Sequence, residues 1–133
     1  MGPVLGISAS PFVKRVFASC SSDGAVRVYD SLNHRPLLIF EPGYNEYLTD
    51  IQWSPFRPAV FGTISNSGNV YLYDLAASKS NPAMVLKHTD DSVLASKKAA
   101  TSLRFNPRQR DMLSVGYQDG FVRLYKLNYV LAN

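Results

Sequence analysis

His34 and His88 are the only imidazoles in this 133-residue chain, and Cys20 is its only thiol. A structural zinc site takes four ligands of these kinds and a catalytic one takes three, so no metal centre is expected. A serine, a histidine and an aspartate can be assembled on paper. Neither histidine stands in a nucleophile motif, however: His34 lies in an Asn-His-Arg-Pro turn, and His88 ends an apolar stretch. No glycine-rich phosphate loop is present. The reading is therefore no catalytic residue, no cofactor and no small-molecule substrate. The chemistry left to the chain is recognition through charge and aromatic surface.

The candidates for that recognition cluster after three prolines. Phe12 follows Pro11, Phe56 and Arg57 follow Pro55, and Arg108 and Arg110 follow Pro107. Lys14 and Arg15 occupy the same stretch after Pro11. Arginine suits interfaces because its planar fork makes paired hydrogen bonds. The two phenylalanines are either apolar anchors of their turns or, if exposed, partner contacts. Lys97-Lys98 is the densest basic pair. Phe12, Phe56, Arg57, Arg108, Arg110, Lys97 and Lys98 are thus the partner-binding candidates, against the plainer reading of solvated turn charges. The lone Trp53 reads as core or inter-sheet packing, and Cys20, in an alternating apolar stretch, as a buried structural thiol.

Charge is uneven. Residues 1–78 hold five basic and six acidic side chains, and residues 79–133 hold nine and four. A basic end can attract nucleic acid or an acidic protein surface. Interleaved stacking aromatics on a basic stripe are missing, so a nucleic-acid partner is not expected. The absence of a run of about 18 apolar residues gives no expectation of a membrane helix. "MGPVLGISASPF" lacks the basic start and long apolar stretch of a secretory signal. A single cysteine forbids an internal disulfide framework, and the expected setting is reducing and intracellular.

The elements that must position these residues come three times. "VFASCSSDGAVRVYD" at 16–30 returns as "VFGTISNSGNVYLYD" at 60–74 and as "MLSVGYQDGFVRLYK" at 112–126. Gly24, Gly68 and Gly120 share a column, as do Tyr29, Tyr73 and Tyr125, and Ile7, Ile51 and Leu103. A repeat in this range of period signals a solenoid, propeller or array. Each copy reads as strands: "LGISAS", "VFASCS" and "AVRVYD" in the first, with alternation of apolar and polar positions. Asp23-Gly24 and Asp119-Gly120 are hairpin turns that need a positive φ, with Ser67-Gly68 a weaker version. "PLLIF" at 36–40 and "AMVLKH" at 83–88 supply a fourth strand to the first two copies.

Four short antiparallel strands per repeat make one propeller blade. The fold class is therefore all-β: a partial propeller of about three blades of four-stranded antiparallel sheet, the last incomplete. The blades are placed at 3–43, 44–96 and 97–133. Three blades cannot close a ring, so the chain is expected to be the C-terminal portion of a larger propeller. The long polar connection "HTDDSVLASKKA" reads as a surface loop.

The Asp-Gly turn with an aromatic-Asp ending resembles the WD-repeat family. Its Trp-Asp signature is written here Tyr29-Asp30, Tyr73-Asp74 and Tyr125-Lys126, and its usual Gly-His pair is missing, which removes the histidine of the family's His–Asp–Ser set. Within that family "SPFVKRVFASCSSDGAVRVYD", "DIQWSPFRPAVFGTISNSGNVYLYDL" and "SKKAATSLRFNPRQRDMLSVGYQDGFVRLYKLN" resemble dynein intermediate chains over residues 3–128. "EYLTDIQWSPFRPAVF" is most similar to the dynein-2, intraflagellar-transport class. The resemblance implies a WD40-type propeller that binds the dynein heavy chain, joins other dynein subunits, and acts in the cytoplasm, on the cytoskeleton, and at the cilium and its base, in retrograde transport. The resemblance places light-chain binding in an N-terminal extended region, so it is not expected of these residues. A WD scaffold of another complex is the competing reading.

Overall fold

The computed structural model describes residues 2–43, 45–78, 81–86 and 99–127. Among them every regular element is a strand, in three antiparallel sheets. The first sheet is β1 (Val4–Ala9), β2 (Val16–Ser21), β3 (Val26–Asp30) and β4 (Leu38–Phe40), in that order. The second is β5 (Leu48–Trp53), β6 (Val60–Ser65), β7 (Val70–Asp74) and β8 (Met84–Leu86). The third is β9 (Ala100–Phe105), β10 (Met112–Tyr117) and β11 (Val122–Lys126). This is the partial propeller expected, with a last blade of three strands among the described residues. The fourth strands begin later than the sequence suggests, after Leu37 and Ala83, and Lys87 and His88 at the expected end of the second lie outside the described residues.

The repeat in sequence is a repeat in register. Phe17 pairs Tyr29, Phe61 pairs Tyr73, and Leu113 pairs Tyr125. A bulge falls in the same column each time, at Val4/Gly6, at Leu48/Asp50, and opposite Gly116/Tyr117 between Ala100 and Ser102. A bulge turns one side chain out of the pleat. At Asp50 it frees the carboxylate to reach the next blade.

The turns follow from local chemistry. Gly24, Gly68 and Gly120 stand at φ of 83°, 84° and 91°, where a side chain would be strained. Asp23 Oδ1 accepts the amide of Ala25, Ser65 Oγ those of Ser67 and Asn69, and Asp119 Oδ1 that of Phe121. One apolar cluster fills each junction between neighbouring blades. Val26, Val28 and Phe40 of the first blade meet Ile51, Trp53, Phe61 and Tyr73 of the second. Val70 and Leu72 of the second meet Leu103, Phe105, Leu113 and Val115 of the third. Close approach at the first junction needs Gly6, since a methyl there would lie 2.9 Å from Cys20 Sγ and 3.2 Å from Asp50 Cα.

Candidate interaction surface

The three proline turns close identically. Ser10 Oγ accepts the amides of Phe12 and Val13, Ser54 Oγ those of Phe56 and Arg57, and Asn106 Oδ1 that of Arg108. The backbone N–H of Ser10, Ser54 and Asn106 in turn donates to Val16, Val60 and Met112. A short polar side chain before proline thus satisfies the turn's own amides, which fixes where the next residues point.

What those residues then touch differs. Phe12 is exposed, as are Arg108 and Arg110. Phe56 is half-buried beneath the Arg110 guanidinium, 5.4 Å from its ring centroid. This cation–π contact bridges the turns of the second and third blades, so those turns form one continuous rim. Arg57 turns inward to Asp74, 3.2 Å away. Asp74 is 2% exposed, and a buried carboxylate requires a cation beside it. Arg57 therefore holds the blade together as well as standing on the rim. Lys97 and Lys98 lie outside the described residues.

The aromatic-Asp ending gains its meaning from these pairs. Asp30 faces Arg15 at 3.5 Å, and in the third blade Lys126 faces Asp111 at 3.8 Å. Arg15 and Asp111 share a column, as do Asp30 and Lys126. The third blade keeps the ion pair with its charges exchanged, which explains its Tyr125-Lys126.

The Asp-Gly turn of the first blade also keeps a polar set without histidine. Ser21 Oγ donates to Asp23, and Arg27 Nη2 donates to the other carboxylate oxygen at 2.7 Å. The Arg27 hydrogen bond holds the Asp23 carboxyl well below the usual carboxylate range. In the second blade Tyr71 stands in the Arg27 column and donates to Glu46 at 2.5 Å. Burial first, then the Glu46 bond, push its phenol up to about 12. An acidic cleft of about 500 Å³ opens beside this region, lined in part by Asp23, Gly24, Glu41, Glu46 and Tyr47. Sequence reasoning missed it, because the carboxylates lie far apart in the chain.

It missed the polar stitches between blades too. Ser8 Oγ accepts the amide of Trp53, and Gln52 Oε1 accepts that of Phe105 at 2.6 Å. Ser8 and Gln52 share one column, so one stitch serves both junctions. Trp53 Nε1 donates to the Ser8 carbonyl at 3.0 Å, which seats this tryptophan between blades. Asp50 Oδ2 accepts from the Leu103 amide and from Arg104. The signal available in sequence was a polar residue recurring between apolar ones in the first strand of each repeat. Cys20 is fully buried, and burial, with Asp50 nearby, pushes its thiol up to about 12, out of reach of thiolate chemistry. His34 is exposed in its turn, and His88 lies outside the described residues. Among the described residues no cluster of three metal-ligating side chains occurs, and no helix is long and apolar enough to cross a membrane.

Three like blades with this turn chemistry agree with a comparison of the sequence against known families. The model of the WD domain, G-beta repeat, matches residues 2–30. The first blade thus carries a WD repeat. Over 127 residues the WD-repeat chain is 35% identical to human cytoplasmic dynein 2 intermediate chain 2, covering 96% of this chain and 23% of that protein. The mouse protein of the same name is also 35% identical, with 96% and 22% covered. Human dynein axonemal intermediate chain 4 is 32% identical over 95% of this chain and 14% of its own length. The WD-repeat chain thus spans less than a quarter of the curated relatives it matches, and its similarity to dynein intermediate chains runs through all three blades.

Proposed function

We propose that this WD-repeat chain is a non-catalytic scaffold of a ciliary dynein, binding the dynein heavy chain for retrograde intraflagellar transport. The observation that carries the reading is the similarity to cytoplasmic dynein 2 intermediate chain 2 along 96% of the chain. The rim of proline turns is the surface offered to the heavy chain, with Phe12 as an apolar contact and Arg108 and Arg110 as the paired-hydrogen-bond donors. Phe56 supports Arg110 from below, and Arg57 anchors the turn through Asp74. The cytoskeleton, the cilium and its base are the places where such a scaffold acts.

Affinity purification of the tagged chain from ciliated cells, read by mass spectrometry, tests this. Enrichment of a dynein heavy chain, lost on Arg108→Glu/Arg110→Glu, is the expected result. Recovery of another WD-assembled complex without any dynein heavy chain would overturn it and favour a scaffold of that complex.

A further inference from the structure

The turns at the two ends of the strands carry opposite charge. At the proline-turn end the carboxylates among the described residues are Asp30, Asp74 and Asp111. Each already faces a cation: Arg15 at 3.5 Å, Arg57 at 3.2 Å and Lys126 at 3.8 Å. Lys14, Arg35, Arg108 and Arg110 stand exposed at the same end and pair with no carboxylate among the described residues. At the other end the described turns hold Asp23, Glu41, Glu46 and Asp119, and no lysine or arginine. The proline-turn end is thus a surface of unanswered positive charge.

Apolar surface is exposed among these cations. Phe12, Val13 and Leu32 are 44%, 50% and 69% exposed. The Ser31 amide donates to the Arg15 carbonyl at 2.7 Å, which sets the turn of Leu32 beside the turn of Phe12. The second blade shows why Phe12 is left open. Phe12 and Phe56 share a column and the same serine-closed turn. Phe56 lies beneath the Arg110 guanidinium of the next blade. Pro58 stands in the Arg110 column where Phe12 would look for the same cover, and a proline ring brings no cation to an aromatic face. The groove between the first and second turns therefore keeps an open aromatic floor. Both its walls are described residues, set at the strand ends rather than on a blade face.

We propose that the partner segment held on this rim is acidic and amphipathic. An apolar side chain seats on Phe12 between the first and second turns, with Val13 and Leu32 beside it, and carboxylates meet Lys14, Arg108 and Arg110. This rests on the scaffold reading above and adds the chemistry of the segment that the rim takes. The arginine fork pairs with a carboxylate through two hydrogen bonds, and opposite potentials across an interface fix partner and register. Aliphatic Val13 and Leu32 offer a base nothing to stack on, which favours a protein segment over nucleic acid. A single ring set between two turns favours one inserted side chain over a flat lipid surface.

Photocrosslinking reads that segment directly. The tagged full chain carrying Phe12→benzoylphenylalanine is irradiated in ciliated cells, and whatever attaches is identified by mass spectrometry. The expected product is a dynein heavy-chain segment of net negative charge with apolar residues at the attachment point. The same probe as Gln118→benzoylphenylalanine, at the opposite end of the strands, does not give it. The attached segment, made as a peptide, is expected to bind the full chain, and Phe12→Glu weakens it about tenfold more than Phe12→Lys, since both lose the ring and differ in charge sign. Position 12 is exposed, and thermal unfolding checks that both variants are folded. An acidic segment of another protein, bound with the same charge preference, supports the proposal and overturns the scaffold reading. A neutral or basic heavy-chain segment overturns the proposal and leaves the scaffold reading standing. Attachment to lipid or nucleic acid, no attachment above the Gln118 control, or equal weakening by Phe12→Glu and Phe12→Lys also overturns it.

Discussion

Strands β7 and β11 share their place in the repeat and differ at only two of five residues, VYLYD against VRLYK. Every residue of β7 is buried, while β11 alternates between exposed and half-buried. The strand's own sequence does not set this difference. Among the described residues, β7 lies in a sheet covered on both faces, and β11 in a sheet covered on one. A strand that reads as alternating can thus be fully buried once a second layer arrives. Among the described residues the middle blade is the most deeply buried, and its neighbours supply the accessible surfaces.

The comparison breaks most visibly by deleting the same side chain in both places. Leu72→Ala is expected to cost about 2–5 kcal/mol, because a fully buried leucine leaves a cavity. Leu124→Ala, in dilute monomeric chain, is expected to stay within about 0.5 kcal/mol. Urea unfolding monitored by fluorescence checks both, and equal losses would mean that the two strands are equally packed.

The ion pairs give the next contrast. Arg57→Ala leaves the buried Asp74 carboxylate without its cation and is expected to cost about 3 kcal/mol. Arg15→Ala and Lys126→Ala open pairs whose cations are 58% and 81% exposed, and each is expected to cost about 0–1 kcal/mol. Thermal unfolding of the three variants ranks them directly.

Trp53→Phe sharpens the view of the junction. It keeps an aromatic ring but removes the donor to the Ser8 carbonyl, at an expected cost of about 1 kcal/mol. Phe105, in the same column, makes the second junction without such a bond, so Phe105→Leu should lose packing alone. A double-mutant cycle of Trp53→Phe with Ser8→Ala should show no coupling, because the indole bonds the Ser8 carbonyl, which Ser8→Ala keeps, and the Ser8 hydroxyl bonds the Trp53 amide, which Trp53→Phe keeps.

The smallest expected effect is on pH dependence. Asp23 is held below its ordinary value by Arg27, so its contribution is present above the unfolded carboxylate pKa of about 4 and is lost as pH falls below that. The pair is about one-fifth exposed, and screening keeps the effect at about 1 kcal/mol or less. Asp23→Asn should flatten the fall in stability between neutral and acid pH. An unchanged slope would assign that fall to other carboxylates.

Much of this was legible because it is local. Glycines at positive φ and Ser-Pro or Asn-Pro corners act within four residues, so the three copies announce the strands and turns in sequence. Ile7, Ile51 and Leu103 are equally legible as a column, yet only two of them are buried, since burial depends on a neighbour the column does not name. Arg57 read as rim charge because its partner Asp74 stands in the signature position of another strand. The exchanged pair Asp111–Lys126 read as a lapse of the signature for the same reason. The stitches at Ser8, Asp50 and Gln52 join residues 45 to 53 positions apart, beyond what any turn rule reaches.

The most direct test of the scaffold reading is a titration of the purified chain with a recombinant dynein 2 heavy-chain tail, followed by interferometry. Saturable binding is predicted, weakened about tenfold or more by Arg108→Glu/Arg110→Glu, which corresponds to ~1.4 kcal/mol, and unchanged by Gln118→Ala in the exposed β10–β11 turn at the opposite end of the strands. A folded chain that does not bind the tail, or one that binds equally with the rim charges reversed, would contradict it.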